Sequence, residues 1–120
     1  MAHVRRKFYD IQVANGSPIA ADAIQRIGTF YDIEREIRGK LIELRHQVRK
    51  MRARPLIGEL HLWLNKTQAR LSRKSDTAEA IRYALSRRRA LTRYLDDGRI
   101  EPDNSAAERA QRAVAFGRKN

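Results

Sequence analysis

Apolar residues recur along this chain at intervals of three and four, the spacing that lines one face of an α-helix. Val4, Phe8 and Ile11 share a face while Arg5, Arg6 and Lys7 fall mostly on the others, which predicts a short amphipathic helix to about Ala14. Asn15-Gly16 ends it, and Ser17 followed by Pro18 reads as an N-cap with proline at the first helical position. A second stripe of Ile19, Ala23, Ile24, Ile27, Phe30, Tyr31 and Ile37 runs to Gly39. Leu41, Leu44, Val48 and Met51 then keep a three-four-three rhythm, expected as the seam of an antiparallel helix pair.

Pro55 has no backbone N–H to give and its ring crowds the preceding turn, so it is expected to break or kink this helix near Ala53. Leu56, Leu60, Trp63, Leu64, Thr67 and Leu71 form the next stripe. Ser72 to Ser75 is a polar turn, and Ser75 or Asp76 caps a helix with Glu79 in its first turn. That helix is expected to run unbroken through Ile81, Ala84, Leu85, Leu91 and Leu95 to Asp97-Gly98, with Arg88 standing inside its apolar stripe. A last helix is predicted from Asp103 to Ala115, ended by Gly117, and a strand stub around Arg99-Ile100-Glu101 is checked by Pro102. The pattern predicts an all-α fold, a helical bundle or hairpin array, as a single domain over residues 1–120.

The balance of charge changes what such a bundle could be for. Lys and Arg number 26 against 14 Asp and Glu, a net charge of +12 whose self-repulsion a polyanion relieves. Residues 15–40 carry four basic and four acidic side chains, residues 41–65 five and two, and residues 66–99 ten and four. The excess therefore sits in two basic stretches, 41–54 and 66–93, as expected of a surface that meets phosphates. Cysteine is absent, which excludes disulfides and thiolate metal sites. No apolar run approaches the roughly 20 residues of a membrane span, and Met1 to Asp10 has no signal-type apolar stretch, so a cytoplasmic protein is expected.

Most catalytic templates fail. There is no glycine-rich phosphate loop, no zinc spacing and no activated serine. His3 reads as a surface residue and His61, four before Asn65, as a packing residue. The segment Ser105-Ala106-Ala107-Glu108 fits a capping box, and Glu108 is spaced for an ion pair with Arg112. On spacing alone Glu108 is structural.

Longer motifs add a second reading. Asp103-Asn104-x-x-x-Glu108-Arg109 with Gly117-Arg118-Lys119-Asn120 downstream resembles the end of the catalytic domain of transposases of the insertion-sequence-sixty-six type. Ala2-His3-Val4-Arg5-Arg6-Lys7-Phe8 is similar to that family's Trp-Ala-His-x-Arg-Arg-Lys-Phe segment, and Ala80 to Leu85 and Tyr94 to Gly98 are also family-like. The resemblance spans the whole chain. It implies an RNase-H-like enzyme of the DDE superfamily, whose Asp, Asp and Glu bind two divalent metals, Mg²⁺ by the hardness of the ligands.

On this resemblance Glu108 matches the triad glutamate and a metal ligand, and Asp103, Asn104 and Arg109 its surrounding motif. Both aspartates and most of the central sheet fall before Met1. Residues 1–98 then correspond to the helical insertion and residues 99–120 to the terminal segment bearing the glutamate. The implied function is that of a transposase fragment that contacts DNA non-specifically and by itself neither holds a cofactor nor catalyses. The candidate DNA contacts are Arg5, Arg6, Lys7, Arg109, Arg112, Arg118 and Lys119.

Two alternatives stay open: a free-standing helical nucleic-acid-binding or transposition-regulating protein, and a nuclease assembled from several chains. The consecutive apolar residues Leu62, Trp63 and Leu64 cover too much of a helix for one neighbour to bury, so a homodimer or contact with other transposase chains is also expected.

Overall fold

The computed structural model describes residues 1–99 of the 120. Among them α1 (Ala2–Asn15), α2 (Pro18–Ile37), α3 (Ile42–Val48), a π-helical segment (Arg49–Ala53), α4 (Arg54–Gln68), α5 (Asp76–Ser86) and α6 (Arg88–Leu95) follow one another, and no strand forms. The helix over Asp103 to Ala115 and residues 100–101 of the strand stub lie outside the described residues, while Arg99 itself sits in a turn.

The local signals act as the sequence suggests at three boundaries. Gly16 closes α1 in the left-handed region at φ 66°, its N–H bonding the Gln12 carbonyl. The Ser17 hydroxyl accepts from the Ala20 N–H at 3.2 Å, and the Ser75 hydroxyl from that of Ala78 at 3.1 Å. Val4, Phe8 and Ile11 turn α1 onto α2, which supplies Ala20, Ala23, Ile27 and Phe30 to the core. Ala53, Ile57, Leu60 and Leu64 enter from the far side, and Ala80, Ile81 and Ala84 of α5 close the cluster.

Pro55 neither breaks nor visibly ends the helical run. Its missing donor is absorbed one turn earlier, where the chain widens and the Arg54 N–H reaches back five residues to the Arg49 carbonyl. The wider turn also changes which residues face inward. Arg49 and Ala53 are fully buried, whereas Leu41, Leu44 and Met51 are exposed and Val48 is half-buried. The expected seam of Leu41, Leu44, Val48 and Met51 is thus absent, and α3 buries none of its residues.

The unbroken helix from Asp76 to Leu95 is also corrected. It divides at Arg87, whose φ of −89° and ψ of 4° leave the helical basin. Just before it the Ser86 hydroxyl donates to the Tyr83 carbonyl at 2.6 Å, a local bond that competes with the helix ladder. The division lets α5 pack against α1 and α4 while α6 turns to the π segment. There Tyr94 meets Phe30 edge-on, ring centres 5.7 Å apart.

Candidate nucleic-acid interface

The basic residues of α1 come first, because the sequence nominated Arg5, Arg6 and Lys7. All three are exposed, yet each is engaged within the chain. Arg5 lies over the Tyr31 ring at 4.4 Å and Lys7 over Tyr83 at 4.8 Å, while Arg6 pairs with Asp10 at 3.2 Å. They also part company. Arg5 and Arg6 line one shallow recess with His3 and Tyr9, whereas Lys7 lines another beside Asp10, Asp76 and Glu79. Three carboxylates around one ammonium make a poor phosphate seat.

A different surface concentrates unpaired positive charge. The turn at Arg87 starts α6, and helical spacing sets Arg89 and Arg93 one turn apart on it. Arg88, Arg89, Thr92 and Arg93 line an open groove with Leu85, Ser86 and Asp96. Asp96, its acid, is already held by Arg54. Arg87, Arg88, Arg89 and Arg93 form no ion pair among the described residues, in contrast to Arg26, Arg35, Arg52 and Arg99. Their guanidinium groups are free to fork onto anionic oxygens. Tyr94 and Leu95, both buried, pin α6 to the core.

His61 is buried on α4. Burial pushes its pKa below the usual histidine value, and the nearby Arg88 charge adds to the shift. His61 is thus a packing residue, and His3 is exposed.

The most polar feature of the core was not nominated by the sequence reading. Arg49, without solvent exposure, donates through Nε and Nη2 to the two carboxylate oxygens of buried Glu34, each at 3.0 Å. Its Nη1 donates to the Asp97 carbonyl at 2.8 Å, and its guanidinium lies 4.1 Å from the centre of the Tyr94 ring. A signal existed: Ala23, Ile27, Phe30, Glu34 and Ile37 step by four and three, which sets a carboxylate on the buried stripe of α2.

No group of three His, Asp or Glu side chains suited to a metal forms among the described residues. Asp96 is held by Arg54, and Asp97 by Arg99, whose side-chain hydrogen bond lowers the Asp97 pKa. Glu108, with Asp103, Asn104, Arg109, Arg112, Arg118 and Lys119, lies outside the described residues. Among them no helix is long and apolar enough to cross a membrane.

Comparison with known proteins bears on the whole length. Residues 1–120 match the sequence model described as the transposase IS66 family. The uncharacterized protein y4qI of Sinorhizobium fredii is 44% identical over 119 residues, which cover 99% of this chain and 22% of y4qI. Uncharacterized proteins y4hP and y4jD of the same organism are 41% and 40% identical, covering 99% and 100% of this chain and 24% of each relative. The chain therefore spans less than a quarter of the length of these relatives. No solved structure matches it.

Proposed function

The chain belongs to the transposase IS66 family, and from that premise we propose that it is a helical DNA-contacting segment of such a transposase, gripping duplex phosphates through the α6 groove. The observation that carries this reading is the set of Arg88, Arg89 and Arg93, unpaired among the described residues and gathered on one short helix just after the unpaired Arg87. Guanidinium groups meeting phosphate oxygens give affinity and register without reading sequence.

In the same reading residues 100–120 contribute Glu108 to divalent-metal chemistry, with partner carboxylates supplied by other parts of the transposase. The described residues offer no donor set for Mg²⁺. What the described part does is hold α6 on its core and present the arginines outward.

Binding to a random-sequence duplex across a salt series tests the groove. The wild-type chain is expected to lose affinity with a log-log slope of about −0.9 per phosphate neutralised. Arg88→Ala, Arg89→Ala and Arg93→Ala together should flatten the slope by about one per arginine removed. Arg5→Ala with Arg6→Ala should flatten it less. Unchanged binding in the triple variant would remove α6 as the contact.

A further inference from the structure

We infer that Arg49 is a positioning residue, which through the Asp97 carbonyl fixes where and in which direction the chain enters the segment beyond residue 99. The inference rests on the reading of Glu108 given above, because that segment carries it. The observations are independent of it.

All three guanidinium nitrogens of Arg49 donate, and to two targets of different kinds. The fork to Glu34 satisfies a buried carboxylate on α2. Glu34 needs nothing from Asp97, yet the remaining Nη1 leaves this pair to bond the main chain 48 residues on in sequence. Main-chain carbonyls at the end of a short helix ordinarily turn to water. Here one is drawn to a guanidinium that its own core partner holds rigid, with Tyr94 as a second wall.

The next residue shows what the tether achieves. Gly98 is buried against the α3 backbone so closely that a Cβ there would stand 2.3 Å from the Ile42 carbonyl oxygen and 3.1 Å from the His46 nitrogen. Its φ is not positive, so the glycine answers to this approach and not to a turn conformation. Arg99 then closes on Asp97, its N–H and Nε donating to Oδ1 at 2.9 and 3.1 Å. Three successive residues are held, respectively by Arg49, by α3 and by Asp97. The described chain thus ends on three tethered residues.

The π turn makes this possible. Arg49 is the first residue of that turn, and it is fully buried where Val48 is half-buried and Met51 exposed. The widened turn presents Arg49 to Glu34 and to the end of α6 together.

A merely structural ion pair and a positioning tether respond differently to one double substitution. Replacing a buried pair by apolar side chains of similar volume is commonly neutral for stability, whereas removing one partner is costly. Glu34→Leu with Arg49→Met should therefore melt within a few degrees of wild type while releasing the Asp97 carbonyl. Hydrogen exchange on the 120-residue chain should then show Asp97–Arg99 amides opening about tenfold faster or more, with the core amides unchanged.

In the full-length transposase, strand cleavage should fall by about 100-fold, as displaced reacting groups do, while duplex affinity stays within twofold. Gly98→Ala, which leaves the ion pair untouched, should give the same split between cleavage and binding. Recovery of cleavage along with stability in the double variant, or protected Asp97–Arg99 amides, would overturn the inference. A wild-type enzyme that cleaves nothing counts instead against the Glu108 reading, and the exchange result then decides the tether alone.

Discussion

Arg49 is the largest fully buried side chain among the described residues, and its energetics follow from having a single carboxylate to answer it. Arg49→Met alone removes the guanidinium from which both buried Glu34 oxygens accept, and should cost about 3–5 kcal/mol in urea unfolding. His61 makes the second residue-scale case. Its folded pKa is depressed by burial and by Arg88, so the unfolded chain takes up the proton first. Stability should be fully present above the unfolded value of about 6.5 and fall as pH drops through it. His61→Leu should abolish that slope between about pH 7 and pH 5. A wild-type chain equally stable at both pH values would show that the imidazole charges without penalty.

At the scale of elements, caps decide boundaries and a widened turn decides a face. The Ser75 hydroxyl is the side-chain acceptor for the first turn of α5, and Ser75→Ala should cost about 1 kcal/mol by chemical denaturation. Both this cap and that of Ser17 were legible, because serine ahead of a helical stripe is a local signal. The face of the helices flanking Pro55 was not. A proline announces a disturbance but not its form, which here is a π turn just before it, with Ala53 and Ile57 packed in the core. The same limit hid the division at Arg87. Arg88 inside an apolar stripe was the visible conflict, and turning α6 resolves it by leaving Arg88 exposed.

For the whole molecule the governing quantity is the net charge of +12. Repulsion among unpaired arginines opposes folding and is screened within about 8–10 Å at physiological salt. The melting temperature should therefore climb as NaCl is raised from about 0.02 to 0.3 M. Short duplex DNA at low salt should raise it further, since a ligand of the folded chain stabilises it by mass action. A melting temperature indifferent to both would mean that the charge is balanced within the fold, against the proposed phosphate contact.

The helical spacing, the caps at Gly16, Ser17 and Ser75, the overall basic charge and the family resemblance were fixed by neighbours in sequence, since each is read from residues a few positions apart. The placement of the proposed phosphate contact was not so determined. Arg5, Arg6 and Lys7 form a basic run, but Tyr31, Tyr83 and Asp10 occupy them, and two of these partners arrive from other helices. The groove on α6 exists because Tyr94 and Leu95 find Phe30 and the π segment across the fold. Arg49 and Glu34 stand 15 residues apart and Arg49 and Asp97 stand 48 apart, so no local pattern pairs them. Periodicity reports which face a helix buries. Which side chain it meets there depends on the relative placement of helices, and that is settled only when distant segments compete for the same core.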